Sequence, residues 1–157
     1  MRRIRRKMTD EDTQKLILSC NWGVLSVASK NWEPYGIPLN YVFLPEENVL
    51  CLHCANEGKK NDILKENSEV CFTIVGEAEL NQKELTTHYK SAVIQGRARF
   101  VEDGDEKARY ILKFCEVLAP QDTKIQKGEI LKHISALSII VIDIKEITGK
   151  KSPAKKA

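Results

Sequence analysis

Cys51, His53 and Cys54 fall within four positions, and Gly58-Lys59-Lys60 follows closely. Three chemistries use residues of these types: metal binding, phosphate binding and thiol–imidazole catalysis. A metal needs its ligands to converge. On a strand, however, successive side chains alternate, so Cys51 and His53 face one side and Cys54 the other. A structural zinc site also wants four ligands, usually with a second Cys-x2-Cys pair, and the chain has none. No metal is expected. A Cys–His nucleophile is possible in principle, but nearness of His53 to Cys51 or Cys54 in sequence is no evidence for it, and thiols buried in apolar surroundings are inert.

Phosphate is harder to dismiss. The ATPase loop G-x-x-x-x-G-K-[ST] is excluded, because His53 stands where its first glycine belongs and Lys60 where its Ser or Thr belongs. A strand end, a glycine, two lysines and a helix start remain. Backbone N–H groups and the helix dipole at such a place favour an anion. A plain strand-to-helix turn with solvated lysines explains the same residues, and the spacing alone leaves both readings open.

The elements that would position these residues come from pattern. Thr9-Asp10-Glu11-Asp12 reads as a capped helix start, with Leu16, Ile17 and the neighbouring Leu18 supplying the apolar face up to about Cys20. Strands are expected at Gly23–Ala28, Tyr35–Leu44, Val49–Cys54, Val70–Val75, Tyr89–Val101 and Ser138–Ile147. Pro38 inside the second strand requires an edge, a bulge or an approaching group. Gly96 inside the fifth suggests a bulge. Helices are expected at Lys59–Asn67 and from Asp105 to about Leu118, with Glu77–Thr87 as a polar connection. Strands in hairpin order argue for an antiparallel barrel with flanking helices, a mainly β fold. The whole of 1–149 reads as one domain, and 150–157 as a basic disordered tail.

Composition sets outer limits. The chain has 157 residues, 42% hydrophobic and 30% charged, with a formal net charge of +3, as in an ordinary soluble protein with its own core. That charge is too small to imply nucleic acid. The basic start MRRIRRKM lacks interleaved aromatics, so it is read as a solvated arm or one that reaches an anionic cofactor. Five cysteines without a secretory apolar region point to reduced thiols in the cytoplasm. The apolar run around Ala136–Ile142 is too short to cross a bilayer.

Several stretches in order carry a resemblance: Met1-Arg2-Arg3 with Thr9-Asp10-Glu11, Trp22-Gly23-Val24-Leu25-Ser26, Tyr35 to Tyr41, His53 to Lys60, Val70 to Val75, and Tyr89 to Ala98. Together they resemble the nitroimidazole-resistance branch of the pyridoxamine 5′-phosphate oxidase-related proteins, from Arg2 to about Lys150. The resemblance implies a six-stranded FMN-binding split barrel and a homodimer with flavin sites at the interface. It implies that Pro38, Leu39, Asn40 and Tyr41 lie along the flavin ring. His53, Cys54 and Ala55 would run past the ring, and Lys59, Lys60 and Asn61 would meet the phosphate end. Ser91, Val93 and Gln95 would complete the cleft, from this chain or its partner. His53 is the implied active-site residue. The implied activity is reduction of small acceptors such as nitro-aromatics. The rivals are a flavin store or sensor without turnover, and a heme- or F420-binding relative on the same barrel. The arginine-rich C-terminal substrate motif of vitamin B6 oxidases is missing, so that activity is not implied.

Overall fold

Alternate side chains are buried along most of the strands, and the sheet they form closes on itself. The computed structural model describes residues 4–121 and 124–153. Its elements are α1 (Asp10–Ser19), β1 (Trp22–Ala28), β2 (Pro34–Leu44), β3 (Val49–Ala55), α2 (Lys59–Glu66), β4 (Glu69–Asn81), β5 (Thr86–Phe100), α3 (Gly104–Leu118), α4 (Lys124–Lys132) and β6 (Leu137–Lys151). The strands pair antiparallel in the order β1-β2-β3-β6-β5-β4, and β4 returns to β1. This is the expected antiparallel six-stranded barrel with flanking helices.

The barrel interior holds Leu25, Val27, Tyr41, Phe43, Leu50, Leu52, Phe72, Ile74, Ile94, Ile140 and Ile142. Tyr41 meets Phe72 edge to face, with centroids 5.3 Å apart. Leu16 and Ile17 of α1 join this core, as do Ile63 and Leu64 of α2. Thr9 caps α1 as expected, accepting a hydrogen bond from the Asp12 N–H at 3.0 Å. A second cluster lies outside the barrel, where Tyr110, Ile111 and Phe114 of α3 cover Val42, Val49, Cys51, Ile139 and Val141.

Among the described residues no helix covers the outer face around Val24 of β1, Thr73 of β4 and Val93 of β5 in the same way. One lateral row there runs Pro38, Val24, Thr73, Val93 and Thr148. Trp22 (57% exposed), Val24 (41%) and Val75 (59%) leave this face apolar and open.

Three expectations need correction. The polar stretch 77–87 continues the β4–β5 ladder, with Ala78 opposite Tyr89 and Asn81 opposite Thr86, past an irregularity between Val75 and Ala78. A two-stranded ribbon projecting beyond the barrel needs no apolar side packed on the core: Leu80 and Leu85 in it are exposed, and its polar composition reads as a connection. The expected tail is strand as far as Lys151, and the Ser152 N–H donates to the Tyr89 carbonyl at 2.9 Å. Residues 154–157 lie outside the described residues. Helix α4 was not anticipated.

Gly96 sits at a register shift between β5 and β6, as its place in the strand suggested. A Cβ there would come within 2.4 Å of the Asp143 carbonyl oxygen, so only glycine fits.

Candidate functional site

Strands β2 and β3 pair from Leu44↔Val49 to Tyr41↔Leu52 and then part. Continuing the register would set Ala55 opposite Pro38. The reason for parting lies in Pro38. The Tyr41 N–H points to β1, where it donates to the Asn21 carbonyl at 3.3 Å. By alternation the backbone of Asn40, Pro38 and Gly36 faces the other way, toward β3. Proline has no N–H to give there. The carbonyl it would have satisfied, that of Ala55, instead accepts from Asn61 Nδ2 at 2.9 Å. The proline conflict in the sequence is thus resolved: β2 is an edge on that side, and a cleft opens between it and the end of β3.

His53 stands on the β3 side of this cleft, opposite Ile139 of β6. It shares the outer face with Cys51, and its ring meets Phe114 of α3 edge to face at 4.9 Å. Burial lowers the pKa of His53, so the imidazole is neutral at pH 7. Burial pushes the Cys51 thiol up to about 12, which keeps it protonated and unreactive. Cys54 turns the other way and packs against the barrel core. Among the described residues no group of three His, Cys, Asp or Glu side chains could hold a metal ion.

The chain leaves β3 and enters α2 through Gly58, whose φ of +133° disfavours any residue with a side chain. Nothing lies within 4 Å of the position a Cβ would take, so the backbone there borders open space. Asn56 ties the loop to the start of β6: its Nδ2 donates to the Ser135 carbonyl at 2.7 Å, and its Oδ1 accepts from Ser138 Oγ at 2.9 Å. Lys59 Nζ stands 4.9 Å from the centroid of the Tyr35 ring. Lys60 Nζ donates to Asn61 Oδ1 at 2.9 Å. Among the described residues neither lysine forms an ion pair with a carboxylate.

The expected site residues therefore divide. Pro38, Asn40, His53, Lys59 and Lys60 border the cleft or its mouth. Leu39 and Tyr41 point into the barrel; Tyr41 is buried, and its hydroxyl donates to the Ile17 carbonyl at 2.6 Å. Cys54 and Asn61 lie behind the cleft wall, and Ala55 contributes a carbonyl that is already bonded. The side chains of Leu39, Tyr41, Cys54 and Asn61 are thus turned to the core or buried beside it. Ser91, Val93 and Gln95 alternate with buried Ala92 and Ile94, so they lie on the open outer face. Val93 and Pro38 share a row but are three strands apart, about 14 Å along the sheet at about 4.8 Å per strand. One chain does not bring them together. Phe114 and Tyr35 were missed as neighbours of His53 and Lys59.

An antiparallel six-stranded barrel parted along one seam, with a basic strand-to-helix turn at the parting, defines a split-barrel protein. The chain belongs to the pyridoxamine 5′-phosphate oxidase family, whose sequence profile matches residues 9–151. No curated protein is similar enough to carry a comparison. Among solved structures, a candidate 5-nitroimidazole antibiotic resistance protein from Bacteroides thetaiotaomicron is similar at TM-score 0.73 and 23% identity, over 92% of this chain and 85% of that one. A FAD-binding protein from Mesorhizobium loti is similar at TM-score 0.66 and 19% identity, over 94% and 98%. A FAD and heme binding protein from Mycobacterium smegmatis is similar at TM-score 0.76 and 14% identity, over 95% and 74%. At these identities the likeness establishes the fold.

Proposed function

We propose that the protein is an FMN-dependent reductase of small acceptors, nitro-aromatic compounds among them, and that a second copy of the chain completes each flavin site. The observation that carries this reading is the basic strand-to-helix turn at Gly58-Lys59-Lys60, which follows the end of β3 where β2 has parted from it. Two lysines without carboxylate partners, a glycine bordered by open space and the first turn of α2 suit a phosphate. The free edge at Gly36, Pro38 and Asn40 offers backbone groups to a flat heterocycle. When bound, the flavin supplies the electron-carrying chemistry.

The remaining roles fall to side chains. His53, neutral and held against Phe114, offers a hydrogen-bond donor and an acceptor with which to orient the acceptor molecule or pass it a proton. Ser91, Val93 and Gln95 lie too far along the sheet to reach the cleft of their own chain, so they serve the partner's. The open face around Trp22, Val24 and Val75 is the surface on which that partner docks. Five cysteines without a disulfide suit the cytoplasm. Among the described residues no helix is long and apolar enough to cross a membrane.

The test is a steady-state assay of flavin-loaded protein with NADH or NADPH and a panel of nitro-aromatic acceptors. Turnover that falls in His53→Ala while FMN remains bound supports the reductase. Flavin binding with no turnover on any acceptor favours a store or sensor. A heme spectrum in place of a flavin spectrum overturns the cofactor.

A further inference from the structure

Asn61 is fully buried, yet it sits in the first turn of α2 beside the exposed Lys59 and the half-buried Lys60. Its amide is used on both sides. Nδ2 donates to the Ala55 carbonyl at 2.9 Å, the acceptor left over where Pro38 withholds an N–H. Oδ1 accepts from Lys60 Nζ at 2.9 Å and from Cys54 Sγ at 3.6 Å. The end of β3, the start of α2 and the Lys60 ammonium are therefore joined through one rigid side chain.

We infer that Asn61 is a positioning residue that fixes Lys60, rather than Lys59, as the cation reading the anionic end of the ligand. This rests on the flavin reading above. Two physical points support it. Lysine has a long flexible stem, and holding its head in place before the ligand arrives removes an ordering cost from binding. A neutral amide holds the ammonium without cancelling its charge, whereas a carboxylate would compete with the phosphate. Among the described residues Lys59 is anchored by the face of Tyr35, toward the start of β2. Being fully buried, Asn61 touches no ligand itself.

The test compares dissociation constants for FMN and riboflavin, which differ only in the phosphate. The full chain is measured as wild type, Lys59→Met, Lys60→Met, Asn61→Ala and the double variant Lys60→Met/Asn61→Ala, each checked for folding by circular dichroism. The preference for FMN is expected to fall about tenfold in Lys60→Met and to change by less than about threefold in Lys59→Met. Asn61→Ala should lower it too, with no further loss in the double variant, because both changes remove one device. Equal weakening of FMN and riboflavin in Asn61→Ala would mean a merely structural role and overturn the inference. So would loss of the preference in Lys59→Met alone. Should Asn61→Ala fail to fold, the contrast between the two lysine variants decides. Wild type that binds neither flavin sinks the cofactor reading, whereas wild type that binds FMN with the wrong lysine pattern sinks only this assignment.

Discussion

The ring of His53 on β3 and the ring of Phe114 on α3 meet edge to face, 4.9 Å apart and at 86°. The helix that covers the outer side of the barrel thus also holds the candidate active-site histidine. Burial lowers the pKa of His53 below its ordinary value of about 6.5. In Phe114→Leu, which keeps most of the apolar volume, the His53 ring becomes wetter and its pKa rises. NMR titration of the imidazole measures this directly. An unchanged value would remove Phe114 from the account.

The same shift has a stability consequence. The folded pKa is depressed, so between it and about 6.5 the unfolded chain binds more protons than the folded one. The contribution of His53 is fully present above about pH 6.5 and is lost as pH falls toward the folded pKa. Urea midpoints should therefore drop on acidification through that window. The drop should be smaller in His53→Gln.

Tyr41→Phe separates support from contact. The hydroxyl donates to the Ile17 carbonyl, and its loss leaves a buried acceptor bare. The expected cost is about 1–3 kcal/mol in urea denaturation. Because the side chain points into the barrel, FMN affinity should stay within about twofold of wild type, a change of under about 0.5 kcal/mol. A large loss of affinity with little loss of stability would return Tyr41 to the flavin.

Much of the barrel was legible because its strands alternate. Leu39, Tyr41 and Phe43 are the apolar set of β2, and that period alone turns them inward. The resemblance marks the stretch Pro38–Tyr41 as a whole and does not separate its two faces, which is why Leu39 and Tyr41 were expected at the ring. The glycine and lysines after β3 were visible as a basic strand-to-helix turn. The partner of His53 was not, since Phe114 lies 61 positions further along and meets it only through the packing of α3. The carbonyl that Asn61 satisfies was equally hidden, because it is left over by a proline on another strand.

The open face gives a prediction about assembly. Val24 sits in the lateral row between Pro38 and Thr73, 41% exposed and outside the helical cover. Val24→Arg places a charge in the proposed interface, where burying it unpaired costs several kcal/mol. Light scattering should show a dimer for wild type and a monomer for the variant, with an unchanged circular dichroism spectrum. Flavin uptake should fall with the dimer. A monomeric wild type that still binds FMN would contradict a site completed by a second copy.

The most direct measurement is an absorption titration of the purified full chain with FMN. Saturable uptake of one FMN per chain, with a shifted flavin spectrum and tighter binding than riboflavin, is the predicted result. A colourless protein that takes up no FMN would contradict the central claim.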